Sequence, residues 1–323
     1  MSNVKLPSAP NQVRQIARLV SRVEDGDVAV LRALASLKTL PAIPVWGITG
    51  PPGAGKSTLV DQLIGLLTCQ GKYVAVIAVD PSSPFSGGAI LGDRIRMQRH
   101  ATNSRVFIRS MATRGHMGGL ALHTWEVVAL LRQARFDYIL VETVGVGQSE
   151  VDIMGIADVT AVVLVPESGD EIQHLKAGVM EIADLLVVNK ADRPGVYEFI
   201  RRLQQVVSEQ RIPIVPTQAM NGKGIEKLME TFQKRFQQQQ QRSIPLLRHA
   251  RQAYQLILSY RMRDVSIMDL QEHLSELNAA GHPTLNLLFA VRKWLFPDTY
   301  TTTSSSLTSS EVDTKSKTMP FRK

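Results

Sequence analysis

The spacing of apolar residues in the first forty positions predicts two helices. Between residues 12 and 40, one apolar face is formed by Val13, Ile16, Ala17, Leu19 and Val20, and a second by Val30, Leu31, Leu34 and Leu37. The triplet Asp25-Gly26-Asp27 separates them, because glycine ends a helix and aspartate caps the next one. Residues 1–43 are therefore predicted to form an N-terminal helical arm.

Short apolar runs alternate with helical segments from residue 44 to about residue 240. The runs lie at 45–49, 74–79, 105–108, 138–141, 159–165, 185–188 and 212–215, and the helical patterns at 57–70, 89–100, 120–133, 195–208 and 225–236. Near-continuous Val, Ile and Leu runs are typical of parallel strands buried on both faces. The pattern predicts an α/β domain over residues 44–240, a largely parallel sheet covered by helices, with its site at the carboxyl ends of the strands.

The C-terminal quarter of the chain returns to helical periodicity. Leucines and other apolar residues recur from 244 to 296, and we expect residues 241–297 to form a helical dimerisation segment. The polar run 237–241 is expected to be a solvated helix surface or a linker. Residues 298–323 are rich in Thr and Ser and are predicted to be a disordered tail.

Composition narrows the class of protein further. The 323 residues are 44% hydrophobic and 20% charged, which is ordinary for a soluble globular chain. The sequence shows no apolar stretch of bilayer-spanning length and no secretory h-region, so we expect a cytoplasmic protein, or one of an organelle matrix without its presequence, that has no membrane partner. The single cysteine, Cys69, cannot form an intramolecular disulfide and is expected to be a packed or half-buried thiol. The net charge of +8 comes from dispersed basic residues, and no RNA-binding motif accompanies it, so nucleic acid is not an expected partner.

The run Gly50-Pro51-Pro52-Gly53-Ala54-Gly55-Lys56-Ser57 has the spacing G-x-x-x-x-G-K-[ST] of a phosphate-binding loop. A strand pattern precedes it and a helical pattern follows it, with Thr58 in the first turn. In this arrangement backbone N–H groups surround the phosphates, the lysine reaches the β- and γ-phosphates, and the serine hydroxyl binds Mg²⁺. The pattern predicts a P-loop nucleotide-binding protein.

The base is indicated by Asn189-Lys190-Ala191-Asp192, which follows the apolar run 185–188. An Asp192 carboxylate can accept hydrogen bonds from guanine N1–H and N2–H₂ together, whereas adenine offers an acceptor at N1. Lys190 is expected to lie along the nucleotide face, and Asn189 to brace neighbouring loops. Thr217-Gln218-Ala219 is expected to complete the base pocket, although GTPases usually have Ser-Ala there. The alternative is a strand-end turn with Asp192 as a helix cap.

Magnesium favours oxygen ligands. The candidates are Ser57 and three acids that follow strands or lie on neighbouring loops: Asp80, Asp93 and Glu142. Each acid could instead be a capping or surface residue. Glu142-Thr143-Val144-Gly145 stands where most GTPases have Asp-x-x-Gly, so Glu142 is expected to act through a water and Gly145 to donate its N–H to the γ-phosphate.

These motifs together resemble the methylmalonyl-CoA mutase-associated GTPase family of the MeaB/ArgK type. The resemblance rests on residues 50–57, Asp80-Pro81-Ser82-Ser83, residues 87–94, Arg114-Gly115-His116, residues 142–150 and residues 189–192, and spans about Val13 to Trp294. It implies a homodimeric GTPase that serves as chaperone of an adenosylcobalamin-dependent acyl-CoA mutase, using GTP to gate cofactor loading and to protect or reactivate the mutase. An older description of relatives, a transport-system kinase for arginine and ornithine, is the alternative.

The resemblance also implies residue roles. Lys56, Ser57, Asp80, Asp93 and Glu142 match phosphate and magnesium positions. Residues 167–176 resemble a third switch, from which Lys176 would swing toward the nucleotide when the mutase docks; a solvated helix start is the alternative. Gln148 is a candidate for positioning the attacking water, as a glutamine does in other GTPases. Slow intrinsic hydrolysis, stimulated by the partner, is expected.

Other functions are less compatible with the sequence. Nickel delivery needs soft or imidazole ligands, and the chain has one cysteine and seven scattered histidines. A kinase would need a phosphoryl-acceptor site that the sequence does not specify. An interaction module without turnover stays open, because Glu142 departs from the usual aspartate. The base-off cobalamin signature Asp-x-His-x-x-Gly is absent, so cobalamin is expected to be held by the partner chain.

Overall fold

The computed structural model describes residues 4–80, 98–100, 102–112, 123–143, 153, 155–166, 183–208, 211–241, 253–254 and 257. Within these ranges the strands are β1 (Val45–Thr49), β2 (Val74–Asp80), β3 (Val106–Ala112), β4 (Tyr138–Glu142), β5 (Val159–Leu164), β6 (Leu185–Val188) and β7 (Ile214–Pro216). The helices are α1 (Val13–Glu24), α2 (Val28–Ala35), α3 (Lys56–Cys69), α4 (Thr124–Gln133), α5 (Val196–Val206) and α6 (Ile225–Gln241). Two short 3₁₀ turns cover Gln98–His100 and Ala219–Asn221.

The seven strands form one sheet in the order β3-β2-β4-β1-β5-β6-β7, and every neighbouring pair is parallel. The predicted α/β fold with a parallel sheet is therefore confirmed. Strand β1 lies at the centre, paired with β4 on one side and β5 on the other. Since the carboxyl ends of parallel strands share one edge, the loops after these strands meet there.

Side chains alternate between two helix-covered faces of the sheet. Trp46 and Ile48 of β1 pack in one cluster with residues of α3 and α6. Val45 packs in the opposite cluster, with residues of α1, α2 and α4. Helix α5 covers β5 and β6 through Phe199 and Leu203. Strands buried on both faces explain why their sequences read as continuous apolar runs.

The predicted break between the first two helices is confirmed. The Asp27 side chain accepts hydrogen bonds from the backbone N–H groups of Ala29 (2.9 Å) and Val30 (3.4 Å) and thereby caps α2. Arg22 donates a 2.8 Å hydrogen bond to the same carboxylate, and this bond chiefly keeps the pKa of Asp27 below its ordinary value. Both helices pack into the core with the sheet, while a domain boundary at residue 43 stays a prediction.

Several element ends differ from the sequence prediction. Strand β3 continues through Arg109 and Ser110, whose polar side chains ended the apolar pattern. It lies at the edge of the sheet, and the Arg109 side chain pairs with Glu24 of α1. The polar run 237–241 is the end of α6, a helix surface rather than a linker. Of the predicted helix 89–100, residues 89–97 lie outside the described residues, and Gln98–His100 form a 3₁₀ turn.

The expectation for Cys69 was wrong, because this thiol is free and exposed. Leu59, Leu63 and Leu67 form the buried stripe of α3. Cys69 follows Leu67 by two positions, which is about 200° around a helix, so its side chain points away from the core.

The C-terminal predictions, a dimerisation segment at 241–297 and a disordered tail at 298–323, lie outside the described residues except at isolated positions. Among the helices of the described ranges, none combines the length and apolar character needed to cross a bilayer.

Removing the ring of Phe232 should destabilise the domain strongly. Phe232 of α6 is fully buried and stacks on Trp46 of β1, with ring centroids 4.6 Å apart and planes 13° apart. Phe232→Ala leaves a cavity and should lower the free energy of unfolding by about 3–5 kcal/mol. Urea denaturation measures this, with Phe236→Ala, at a partly buried position of the same helix, as the matched control. Equal losses for the two variants would contradict the assigned packing.

Candidate functional site

The loop between β1 and α3 depends on glycine at two places. Gly50 has φ 137°, and a Cβ there would lie 2.2 Å from the carbonyl oxygen of Val163. Gly55 has φ 91°, and a Cβ would lie 2.3 Å from Nδ2 of Asn189. Both values are far below a van der Waals contact, and both φ angles lie in the region that favours glycine. The loop is therefore pressed against β5 on one side and against the residue after β6 on the other.

Lys56 begins α3 and turns its side chain back into the loop. Its side chain is buried, and Nζ donates hydrogen bonds to the carbonyl oxygens of Gly50 (2.7 Å) and Pro51 (2.9 Å). The ammonium group thus lies within the loop, beside the N-terminus of α3, which carries partial positive charge. This concentration of positive charge suits a phosphate group.

Ser57 and Glu142, two of the residues that the sequence offers as candidate magnesium ligands, lie together. The Ser57 hydroxyl donates a 2.7 Å hydrogen bond to Oε1 of Glu142, and both side chains are buried. Ser57 is in the first turn of α3, and Glu142 ends β4 in register with Ile48 of β1. A hydroxyl and a carboxylate oxygen are hard donors that fit Mg²⁺, which commonly takes one or two protein ligands and completes its shell with water and phosphate. No group of three His, Cys, Asp or Glu suited to a metal occurs in the described part of the chain.

The other predicted magnesium and switch residues are placed only in part. Asp80 ends β2, two residues beyond Ala78, which is in register with Glu142. Its backbone therefore lies at the edge of the sheet where Glu142 lies. Four further predicted residues are outside the described residues: Asp93, Gly145, Gln148 and Lys176.

Asn189 ties the phosphate loop to both loops of the predicted base pocket. Its Nδ2 donates to the carbonyl oxygen of Ala54 (2.8 Å). Its Oδ1 accepts from the Thr217 hydroxyl (3.1 Å) and from the Ala219 backbone N–H (3.1 Å). The side chain is buried, with 2% of its surface exposed, so these contacts replace its hydration. The bracing role that the sequence suggested for Asn189 is what this geometry provides.

The loop after Asn189 holds Asp192 in an exposed position. Lys190 adopts a left-handed conformation with φ 56°, and its carbonyl oxygen accepts from the Arg193 N–H (3.0 Å). Ala191 N–H donates to the carbonyl oxygen of Thr217 (2.9 Å) and joins this loop to the next. Asp192 is exposed, and its carboxylate is therefore accessible to a ligand.

Two buried polar groups near the phosphate loop were not predicted. Thr49 and Thr143, which end β1 and follow β4, share a hydrogen bond between their hydroxyls. Their only sequence signal is a polar residue at the end of an apolar run.

An ion cluster also joins α3 to the turn Gln98–His100. His100 Nε2 lies 2.9 Å from Oδ1 of Asp61, and Arg99 pairs with the same carboxylate. Asp61 lies one turn beyond Ser57 on the helix. The spacing of apolar residues in the sequence does not indicate whether this position is buried or exposed. A pairing across this sequence distance has no local sequence signal.

A central parallel strand followed by a glycine-rich loop and a helix that begins with Lys-Ser defines a P-loop nucleotide-binding protein. The chain belongs to the family described as methylmalonyl Co-A mutase-associated GTPase MeaB, whose model matches residues 18–272. It is accordingly a P-loop GTPase, and the resemblance suggested by the motifs is confirmed.

Individual relatives agree with this assignment. A Pyrococcus horikoshii protein provisionally named a GTPase is 48% identical over 227 residues, covering 67% of this chain and 72% of the relative. The mouse protein named methylmalonic aciduria type A homolog, mitochondrial, is 38% identical over 203 residues, covering 60% of this chain and 49% of the relative. A crystal structure of a protein called LAO/AO transport system kinase superposes with a TM-score of 0.59 at 26% identity, covering 88% of this chain and 93% of that one.

Two glycine substitutions in the loop separate backbone strain from crowding. Gly53 (φ 76°) and Gly55 (φ 91°) both have left-handed backbones, but a Cβ at Gly53 meets nothing within 4 Å. Gly53→Ala should cost about 1–2 kcal/mol of unfolding free energy from strain alone. Gly55→Ala should cost distinctly more, since the methyl group displaces Asn189. Denaturation of the nucleotide-free proteins measures both, and equal costs would contradict the Gly55–Asn189 contact.

Proposed function

We propose that this GTPase is a chaperone that gates adenosylcobalamin loading into, and protects or reactivates, an enzyme of the methylmalonyl-CoA mutase type. The observation that carries the nucleotide part is the Asn189 tie, which joins the phosphate loop at Ala54 to the base loop at Thr217 and Ala219. A nucleotide that lies between these loops would contact both, and its binding would favour the arrangement that Asn189 maintains.

Asp192 selects guanine in this proposal. Its exposed carboxylate accepts from N1–H and the exocyclic amino group, whereas adenine presents a lone pair at N1. Lys190 lies along the face of the base, and Thr217-Gln218-Ala219 closes the pocket through backbone contacts. The buried Thr217 and Ala219, both held by Asn189, support that placement.

The phosphates lie in the loop formed by Gly50, Pro51, Pro52, Gly53, Ala54, Gly55, Lys56, Ser57 and Thr58. The Lys56 ammonium, which in this structure bonds to loop carbonyls, exchanges those bonds for the β- and γ-phosphate oxygens. Ser57 would hold Mg²⁺ directly and Glu142 through a water, with Asp80 and Asp93 as further candidate ligands. A bound magnesium ion offsets the negative charge of the phosphates and of the transition state.

Residues outside the described ranges complete the proposed cycle. Gly145 reports the γ-phosphate through its N–H, Gln148 positions the attacking water, and Lys176 moves to the nucleotide when the mutase docks. These roles follow from the family motifs in residues 142–150 and 167–176.

The partner is inferred from the descriptions of the family and of one relative, and from a cobalamin motif that the sequence lacks. The family description names methylmalonyl-CoA mutase, and the mouse relative's name refers to methylmalonic aciduria. The chain lacks a base-off cobalamin signature, so the mutase would supply the cobalamin site. We further propose a cytoplasmic homodimer that associates through residues 241–297 and binds neither nucleic acid nor membrane.

A second candidate is a transport-linked kinase or ATPase. It is favoured by the solved structure called LAO/AO transport system kinase, which covers most of both chains at 26% identity. The two candidates differ in the base they use, because the kinase expects ATP and Asp192 favours guanine.

The guanine assignment predicts a specific effect at Asp192. Asp192→Ala should weaken GTP binding by about 10- to 100-fold, since a bidentate base contact is worth about 1–3 kcal/mol. Inosine triphosphate lacks the exocyclic amino group. It should bind the wild type less tightly than GTP does, whereas the variant should bind the two nucleotides with equal affinity. Calorimetric titration measures both ligands, with Glu198→Ala, an exposed acid on α5, as control. If Asp192→Ala still bound GTP more tightly than inosine triphosphate, this base assignment would be excluded.

The partner assignment predicts stimulation of turnover. GTP hydrolysis should be slow alone and should rise by about tenfold or more with an adenosylcobalamin-dependent acyl-CoA mutase from the same organism, because a partner can complete the transition-state contacts. Phosphate release is measured for GTP and ATP, each with and without the mutase, and with an unrelated CoA enzyme as control. ATP turnover that ignores the mutase would favour the transport-linked kinase.

A further inference from the structure

The phosphate loop begins where the β1–β4 pairing ends. Within the described residues, the last backbone hydrogen bond between the β4 and β1 segments runs from the Thr143 N–H to the carbonyl oxygen of Ile48 (3.1 Å). The hydroxyl of the same Thr143 donates to the hydroxyl of Thr49, the next residue of β1, at 2.8 Å. Gly50, the first residue of the loop, follows Thr49 directly. The hydroxyl pair thus extends the contact between the two strand segments to the last residue before the loop.

Stability alone does not require hydroxyls at these two positions. Thr49 is fully buried and Thr143 is 1% exposed, and the strands beside them are otherwise largely apolar. Valine has nearly the shape of threonine and the same preference for strands. Replacing both partners of a buried hydrogen bond by apolar groups of the same shape is close to neutral for folding. A hydrogen bond adds direction and a fixed distance, which two facing valines would not provide.

The backbone that this pair holds leads to two of the proposed magnesium ligands, Glu142 at the end of β4 and Ser57 at the start of α3, beyond the phosphate loop. Ile48 and Glu142 are register partners, and Ile48 packs on the face covered by α3, where Glu142 accepts from Ser57. Thr49 and Thr143 are one residue farther, so they lie on the opposite face. They do not act on Ser57 or Glu142 directly but through the backbone between them. On the other flank, Gly50 has no room to shift toward β5, because even a Cβ would meet Val163.

From this geometry we propose that Thr49 and Thr143 are positioning residues of the GTPase site. Their hydroxyl pair fixes Glu142 of β4 relative to the phosphate loop of β1, and with it the separation between Glu142 and Ser57. This inference rests on the proposed nucleotide and magnesium site. Displacements of about 1 Å are enough to lower the rate of a reaction that depends on exact placement by up to about 100-fold.

The double variant Thr49→Val/Thr143→Val separates positioning from folding. It leaves no buried hydroxyl without its partner, so its melting temperature should lie near that of the wild type. Its kcat for GTP and its affinity for GTP with Mg²⁺ should each fall by about tenfold, while its affinity for GDP without Mg²⁺ should stay within about twofold. Either single valine variant should melt at a lower temperature, because it strands one hydroxyl.

Two controls complete the experiment. Thr49→Ser/Thr143→Ser keeps both hydroxyls and should recover most of the lost kcat. Thr160→Val changes another fully buried threonine near the start of β5, far from the carboxyl edge of the sheet, and should leave kcat unchanged. A double valine variant with wild-type kcat and wild-type Mg²⁺ dependence would overturn the inference. If instead Lys56→Ala bound and hydrolysed GTP like the wild type, the proposed site itself would be wrong, whatever the threonine variants did.

Discussion

The pairing of β1 with a neighbour on each side is the constraint on which the site depends. Backbone hydrogen bonds to β4 and β5 fix the direction and the height of β1 within the sheet, and apolar side chains cover both of its faces. The chain leaves β1 at its carboxyl end, where Gly50 lies against Val163. The phosphate loop, the start of α3 and the Ser57–Glu142 contact all take their positions from this one strand.

Asn189 extends the same frame to the far side of the site. Strand β6 is separated from β1 by β5, so the loop after β6 would have no direct connection to the phosphate loop without a side chain that reaches across. The Asn189 amide makes that connection with a donor on one side and an acceptor on the other. Breaking one of these buried hydrogen bonds costs free energy. The three loops therefore tend to move together. A site built this way can respond as a unit when a ligand bridges its two ends.

The sequence predicted the sheet and the centre of the site because both have local signals. Apolar runs mark buried strands, and the glycine-lysine-serine spacing and the Asn-Lys-Ala-Asp motif each belong to one loop. The partner atoms were less accessible to prediction: that Asn189 would reach Ala54, or that Thr49 would meet Thr143, depends on the strand order and register. The Asp61–His100 contact likewise depends on how a turn docks on a helix. The predicted end of β3 was too early because polar residues interrupt the apolar pattern there. At the edge of a sheet, such a side chain can pair with a neighbouring helix, as Arg109 does with Glu24 of α1.

The exposed thiol of Cys69 has a practical consequence. It is the chain's single cysteine, and it ends the helix whose first residue is Lys56. A 14-residue helix is about 20 Å long, so a fluorophore or spin label on this sulfur would report on the far end of a rigid rod that starts in the phosphate loop. Neither cysteine removal nor an added attachment point would be needed. Changes in the orientation of that rod could then be followed in solution, on the unaltered polypeptide.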